Sequence, residues 1–168
     1  MEKNKKLEKG LNKILFLGEI GPNGWQDDFV ATPDQCAKIA KRFEIPKVKD
    51  LSVHVNVVAD GDLIKVTGHI QADLERICVV SLEPCEEHLD IDFESLFAEN
   101  IPLISDGEMK DDIEPIERGR LDLFDIVAEQ VGLNMNPFPR KLGVNGDYLE
   151  QGDSANHPFA NLKNLIKK

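Results

Sequence analysis

Three cysteines, four histidines and an excess of carboxylates are the side chains best equipped for chemistry: Cys36, Cys78 and Cys85; His54, His69, His88 and His157; and 31 Asp and Glu against 20 Lys and Arg. A structural zinc asks for four close thiolate or imidazole ligands. The spacing does not offer them, since six residues separate Cys78 from Cys85 and no Cys-x-x-Cys occurs. Nucleophilic catalysis needs a thiol or hydroxyl beside a positioned base, and neither a serine elbow nor a Cys–His signature is present. Cys78 falls in the apolar run Ile77-Cys78-Val79-Val80, where a thiol is expected to be inert. Gly119 and Gly143 stand alone, outside any phosphate-cradling run. Asp90, Asp92 and Glu94 recur at every second position, the spacing of one strand face, which reads as a solvated acidic surface rather than a catalytic pair. No metal and no cofactor is expected.

Positive and aromatic groups converge once, at Asn136-Pro137-Phe138-Pro139-Arg140-Lys141. The prolines stiffen this stretch, Phe138 offers a ring for stacking or docking, and Arg140 with Lys141 makes a small positive patch to which Arg76 is a candidate contributor. The competing reading of Phe138 is a ring that closes the core, since aromatics beside helix ends often pack inward.

Those groups must be carried by elements, and the clearest is a hairpin. Leu51, Val53, Val55 and Val57 alternate with polar residues, and so do Ile64, Val66, Gly68, Ile70, Ala72 and Leu74. Asp60-Gly61 between them suggests a two-residue type I′ turn, which would set Val57 opposite Ile64 and Val55 opposite Val66 with both apolar rows on one face. His54 and His69 would then be near neighbours on the polar face. The chain leaves this strand and turns at Leu82-Glu83-Pro84. A third strand carries Leu89, Ile91, Phe93 and Phe97 inward and the acids outward.

Thr32-Pro33-Asp34 starts a helix that runs to about Phe43, with Cys36, Ile39 and Ala40 on its apolar side. Asp122 starts a second, ending near Asn134 or Asn136 before Pro137. Leu123, Ile126 and Leu133 give it a second apolar side, so it is expected to lie buried between two layers. Ile14 to Ile20 is expected to form a short strand or to dock against the core, and short extended pieces are expected at Ile101 to Ile104 and Ile113 to Ile116. A flexible tail over 1–13, a loose stretch over 143–156 and a short amphipathic tail over 158–166 complete a single domain of 168 residues. The fold class is α+β: a curved antiparallel sheet, on the way to a barrel, with two main helices packed on it.

The net charge of −11 repels phosphate on average and suits a basic partner better than direct nucleic-acid binding. An odd number of sparse cysteines, with no long apolar run ahead of them, reads as free thiols in a cytoplasmic protein with no membrane segment.

Four stretches in order resemble the YceD family, the large ribosomal RNA subunit accumulation proteins, in its alphaproteobacterial branch. They are Ala31-Thr32-Pro33 with Ile45-Pro46; Val66-Thr67-Gly68 running on to Cys78-Val79-Val80-Ser81-Leu82-Glu83-Pro84; Asp125-Ile126-Val127-Ala128-Glu129-Gln130 continuing to Asn136 through Lys141; and His157-Pro158-Phe159-Ala160. The resemblance implies a bacterial ribosome-biogenesis factor that supports accumulation of large-subunit ribosomal RNA, with that RNA or a basic large-subunit ribosomal protein as partner. It implies no catalysis, so the chain is expected not to be an enzyme. Other branches carry Cys-x-x-Cys where Ser81 here replaces the second cysteine, and a zinc site borrowed from them does not carry over. The candidate binding residues are Arg76, Phe138, Arg140 and Lys141 for RNA, and Asp90, Asp92 and Glu94 for a basic protein. The rival functions are a general protein-interaction adaptor and a hydrolase using clustered carboxylates with a divalent ion.

Overall fold

Period-two alternation organises the molecule, seen in a computed structural model that describes residues 10–99 and 113–144. Three long strands, β3 (Lys47–Asp60), β4 (Leu63–Ile77) and β5 (Pro84–Ala98), form an antiparallel meander. β2 (Trp25–Val30) joins one edge, and β6 (Ile113–Pro115) joins the other in parallel with β5. The strand order is β2-β3-β4-β5-β6, and among the described residues the sheet stays open rather than closing into a barrel. Among the described residues two helices, α1 (Pro33–Arg42) and α2 (Leu123–Asn134), complete an α+β fold. A separate two-stranded sheet pairs β1 (Ile14–Phe16) with β7 (Arg120–Asp122).

The hairpin forms with both apolar rows on one face, but its register differs from the expected one. Val57 pairs with Val66 and Asp60 with Leu63, so the loop residues are Gly61 and Asp62. Gly61 has φ of +61° while Asp62 is not in the left-handed region, which is the pattern of a II′ turn with glycine first. Pairing moves by two positions, and a shift of two preserves which face each side chain occupies. A bulge between Val48 and Asp50 lets β3 bury Val48 as well as the Leu51-to-Val57 row.

Gly68 interrupts the buried row of β4 for a steric reason. It pairs with Phe93 of β5, and a Cβ at 68 would lie 2.5 Å from both the His54 carbonyl oxygen and the Phe93 ring. The ring fills the space that a side chain would take.

Helix α1 starts as expected. Thr32 accepts the Gln35 N–H, and Gln35 returns its side chain to the Thr32 N–H. Gln35, only 2 % exposed, also accepts the Leu11 N–H and donates to Asn12 Oδ1. That amide corrects the expected tail over 1–13: Leu11 is fully buried, and the segment is anchored from residue 10 onward. Helix α2 is capped by Asp122, whose carboxylate accepts from Phe124 and Asp125. It buries Leu123, Val127, Ala128 and Val131. Of the three residues expected on a second buried side, Leu123 is fully buried and Ile126 packs partly buried against the core, while Leu133 is 72 % exposed, because nothing covers it among the described residues.

The 3-10 turn Leu17–Glu19 follows β1 within the stretch 14–20, and β6 lies within the piece expected at 113–116. The piece at 101–104, nearly all of 143–156 and the amphipathic tail lie outside the described residues.

Candidate functional site

Helices α1 and α2 cover one side of the sheet, and the other side carries the acids. Strand parity alone puts Asp90, Asp92 and Glu94 there, since Leu89, Ile91 and Phe93 point inward. Registry then aligns Asp28, His54, His69 and Asp92 on one rung across four strands. His54 Nδ1 lies 2.9 Å from Asp28, and His69 Nδ1 lies 2.8 Å from Asp92. His69 Nε2 is 3.2 Å from Asp90, which also accepts from Gln71. One row further on, His88 Nδ1 meets Asp73 at 2.8 Å. Lys65 pairs with Glu94 at 2.7 Å, and Lys49 pairs with Glu86. These groups remain open to water, with Asp92 90 % exposed. An imidazole cancels a carboxylate only when it carries its proton, so this face holds negative charge that its own cations do not match.

A second candidate surface forms where the β4–β5 turn meets the loop after α2. The Val79 N–H donates to the Pro139 carbonyl at 2.9 Å, which fastens the two segments. Arg76 donates to Glu87 at 2.7 Å and to the Asn136 carbonyl at 3.3 Å, while the Asn136 N–H donates to the other Glu87 oxygen at 2.6 Å. Lys141 donates to Glu83 at 2.7 Å. Of the three expected cations, Arg76 and Lys141 are therefore engaged within the fold, and Arg140 alone makes no ion pair among the described residues. The ambiguity over Phe138 resolves plainly: its ring is 67 % exposed, and Pro139 is the buried residue of the loop.

Cys78 sits inside this corner and is fully buried. Its Sγ accepts the Ser81 N–H at 3.4 Å. The Ser81 hydroxyl first, then the backbone N–H groups of Ser81, Lys141 and Val80, hold the thiol down at about 6. The sulfur is nonetheless shielded from solvent. Cys85 is pushed up, by burial and by the neighbouring Cys78 charge.

The hydrolase alternative needs carboxylates that converge. Glu114, Glu117, Asp122, Asp125 and Glu129 line a cleft of about 360 Å³ between β6 and α2, and burial together with Glu129 pushes Glu114 up. No three His, Cys, Asp or Glu side chains among the described residues are arranged to hold a metal ion.

Sequence reasoning missed Glu87 and Glu83, the acids that engage the basic residues. A signal for Glu87 exists: it shares the inward parity of Cys85 and Leu89, and a carboxylate in an apolar row needs a partner. The reach of Asp28 to His54 depends on the docking of β2, for which the sequence holds no comparable sign.

The model of one protein family, described as large ribosomal RNA subunit accumulation protein YceD, matches residues 66–166. The match begins in β4 and takes in β5, α2 and the corner. No curated protein and no solved structure matches the chain. Among the described residues, no helix is long and apolar enough to cross a membrane.

Proposed function

The chain belongs to the YceD family, whose name ties it to accumulation of the large ribosomal RNA subunit, and from that premise we propose that it acts in the cytoplasm as a non-enzymatic binding factor. Its acidic sheet face engages a basic protein of the assembling large subunit. Large-subunit ribosomal RNA then accumulates because that protein is held ready for assembly.

The observation that carries this reading is the contrast in charge between the two surfaces. On the sheet face, Asp90, Asp92 and Glu94 are exposed and share a few histidines and lysines. In the corner, Arg76 and Lys141 are already occupied by Glu87 and Glu83, so little positive charge is left for phosphate. Complementary surface charge speeds encounter and selects partners of opposite sign. The exposed Phe138 beside Arg140 is what favours a second reading, in which the loop stacks on an unpaired RNA base.

A tagged pull-down from growing cells, with and without ribonuclease, separates the two. The acidic-face reading expects a basic large-subunit protein that survives ribonuclease and is lost when Asp90, Asp92 and Glu94 are changed to lysine. Recovery that vanishes with ribonuclease, and responds to Arg140→Glu and Phe138→Ala instead, would establish the RNA reading. Recovery of neither component would point to a general adaptor and remove the ribosomal assignment from this chain.

A further inference from the structure

The two segments that meet at the corner, 77–84 and 136–144, expose five large apolar side chains. Ile77, Val79 and Leu82 are 41, 45 and 76 % exposed, Phe138 is 67 % and Leu142 is 100 %. All five lie in two segments that the Val79–Pro139 and Lys141–Glu83 bonds hold together. Apolar residues gathered in this way mark a docking surface, whereas scattered ones do not. The surface is also formed in advance. Leu82 is held at φ of +59°, a left-handed conformation unusual for leucine, with its N–H bonded to the Cys78 carbonyl.

The described chain stops at this same place. Val144 donates to the Lys141 carbonyl at 3.2 Å, and residues 145–168 follow directly from the corner. Within them, Phe159, Leu162 and Ile166 recur at intervals of three and four, the stripe of an amphipathic segment. From 157 onward there is no Asp or Glu, while Lys163, Lys167 and Lys168 supply positive charge. The outer row beside the corner carries charges of both signs, with Glu75 between Lys47 and Glu86, and Glu86 paired with Lys49. The intervening residues 145–157 can span about 40 Å when extended, which is ample for a return, and closing so short a loop costs little. The family match takes in the corner and this segment together and ends at residue 166.

We propose that residues 158–166 dock on the apolar corner of their own chain, with Phe159 and Leu162 against Phe138, Leu82 and Leu142. The sheet face that binds the basic partner is a separate surface, so this contact stands or falls independently of the partner's identity.

The test uses the full chain with a benzoylphenylalanine in place of Phe138, irradiated at low micromolar concentration and mapped by peptide mass spectrometry. The expected product is an intramolecular crosslink to the peptide containing 158–166, in the monomer band and independent of dilution. Phe159→Asp with Leu162→Asp should reduce its yield at least about fivefold, as should Leu142→Asp, the effect of losing an apolar contact worth roughly 1 kcal/mol. A circular-dichroism spectrum unchanged by the tail substitutions confirms that the fold is intact. A crosslink that appears only in a dimer band assigns the corner to a second copy and overturns the proposal. Absence of any crosslink to the tail, or a yield indifferent to these substitutions, overturns it as well.

Discussion

The outer face of the sheet and the corner beside it both carry charge, but they use it in opposite ways. On the sheet, strand parity places acids in rows and leaves them exposed, sharing three histidines and a few lysines. In the corner, Glu87 and Glu83 each take a specific cation, and Arg76 with Glu87 is largely removed from water, at 13 and 14 % side-chain exposure. Charge on the first surface is available to a partner. Charge on the second is structural where Arg76 meets Glu87, which fixes the loop after α2 to the β4–β5 turn, while the Lys141–Glu83 pair beside it stays open to water. A count of lysines and arginines in the sequence cannot make that distinction, because it depends on which acid each one meets.

The contrast is lost altogether if β4 and β5 separate. Gly68→Ala forces a methyl against the Phe93 ring and the His54 carbonyl and is expected to cost about 3 kcal/mol, read as a drop in the denaturation midpoint. Glu87→Leu tests the corner alone. It strands the Arg76 guanidinium and the Asn136 N–H, and should cost about 2 kcal/mol while leaving binding through the sheet face intact. Reversing Asp90, Asp92 and Glu94 to lysine should do the converse, weakening a basic partner about tenfold by titration while moving stability by less than about 1 kcal/mol.

A pH series sharpens the corner further. The Cys78 thiol, ordinarily near 9.0, is held at about 6 in the fold, so between those values the folded chain binds fewer protons than the unfolded one. Its contribution to stability is therefore fully present above about 9, falls as pH falls, and is gone below about 6. Ser81→Ala, which removes the leading donor, should flatten that slope in chemical denaturation measured from pH 6 to 9. The smallest expected effect belongs to the exposed sheet face: Lys65→Met should change stability by less than about 0.5 kcal/mol, since its pair with Glu94 is open to water.

How much of this the sequence discloses follows from the range of each interaction. Alternation in β3 and β4 reveals which face each side chain takes, but not the pairing, because a II′ turn at Gly61-Asp62 and a I′ turn one residue earlier bury the same rows. The caps at Thr32 and Asp122 are legible because the residues that satisfy the helix ends lie within three positions. Leu133 misleads for the opposite reason, since an apolar side chain says nothing of whether a layer exists to cover it. The exposed acids of β5 are read correctly from parity. The corner is not, since Arg76 with Asn136, Lys141 with Glu83 and Val79 with Pro139 are each joined across about sixty residues. The low-lying Cys78 thiol follows first from Ser81 and then from backbone N–H groups that include the distant Lys141, which an apolar run conceals.

The small β1–β7 sheet has a consequence for the order in which the chain assembles. The β3–β4–β5 meander is built from neighbours in sequence, and such contacts form quickly because each closes a short loop. Pairing Ile14 with Asp122 closes a loop of more than a hundred residues and also requires that the ends of the meander already be in place. The clasp is thus expected to close last and to open first. Amide exchange at Leu15 and Leu121 should be governed by a local opening, while Val55 and Ile70 exchange only when the whole domain unfolds.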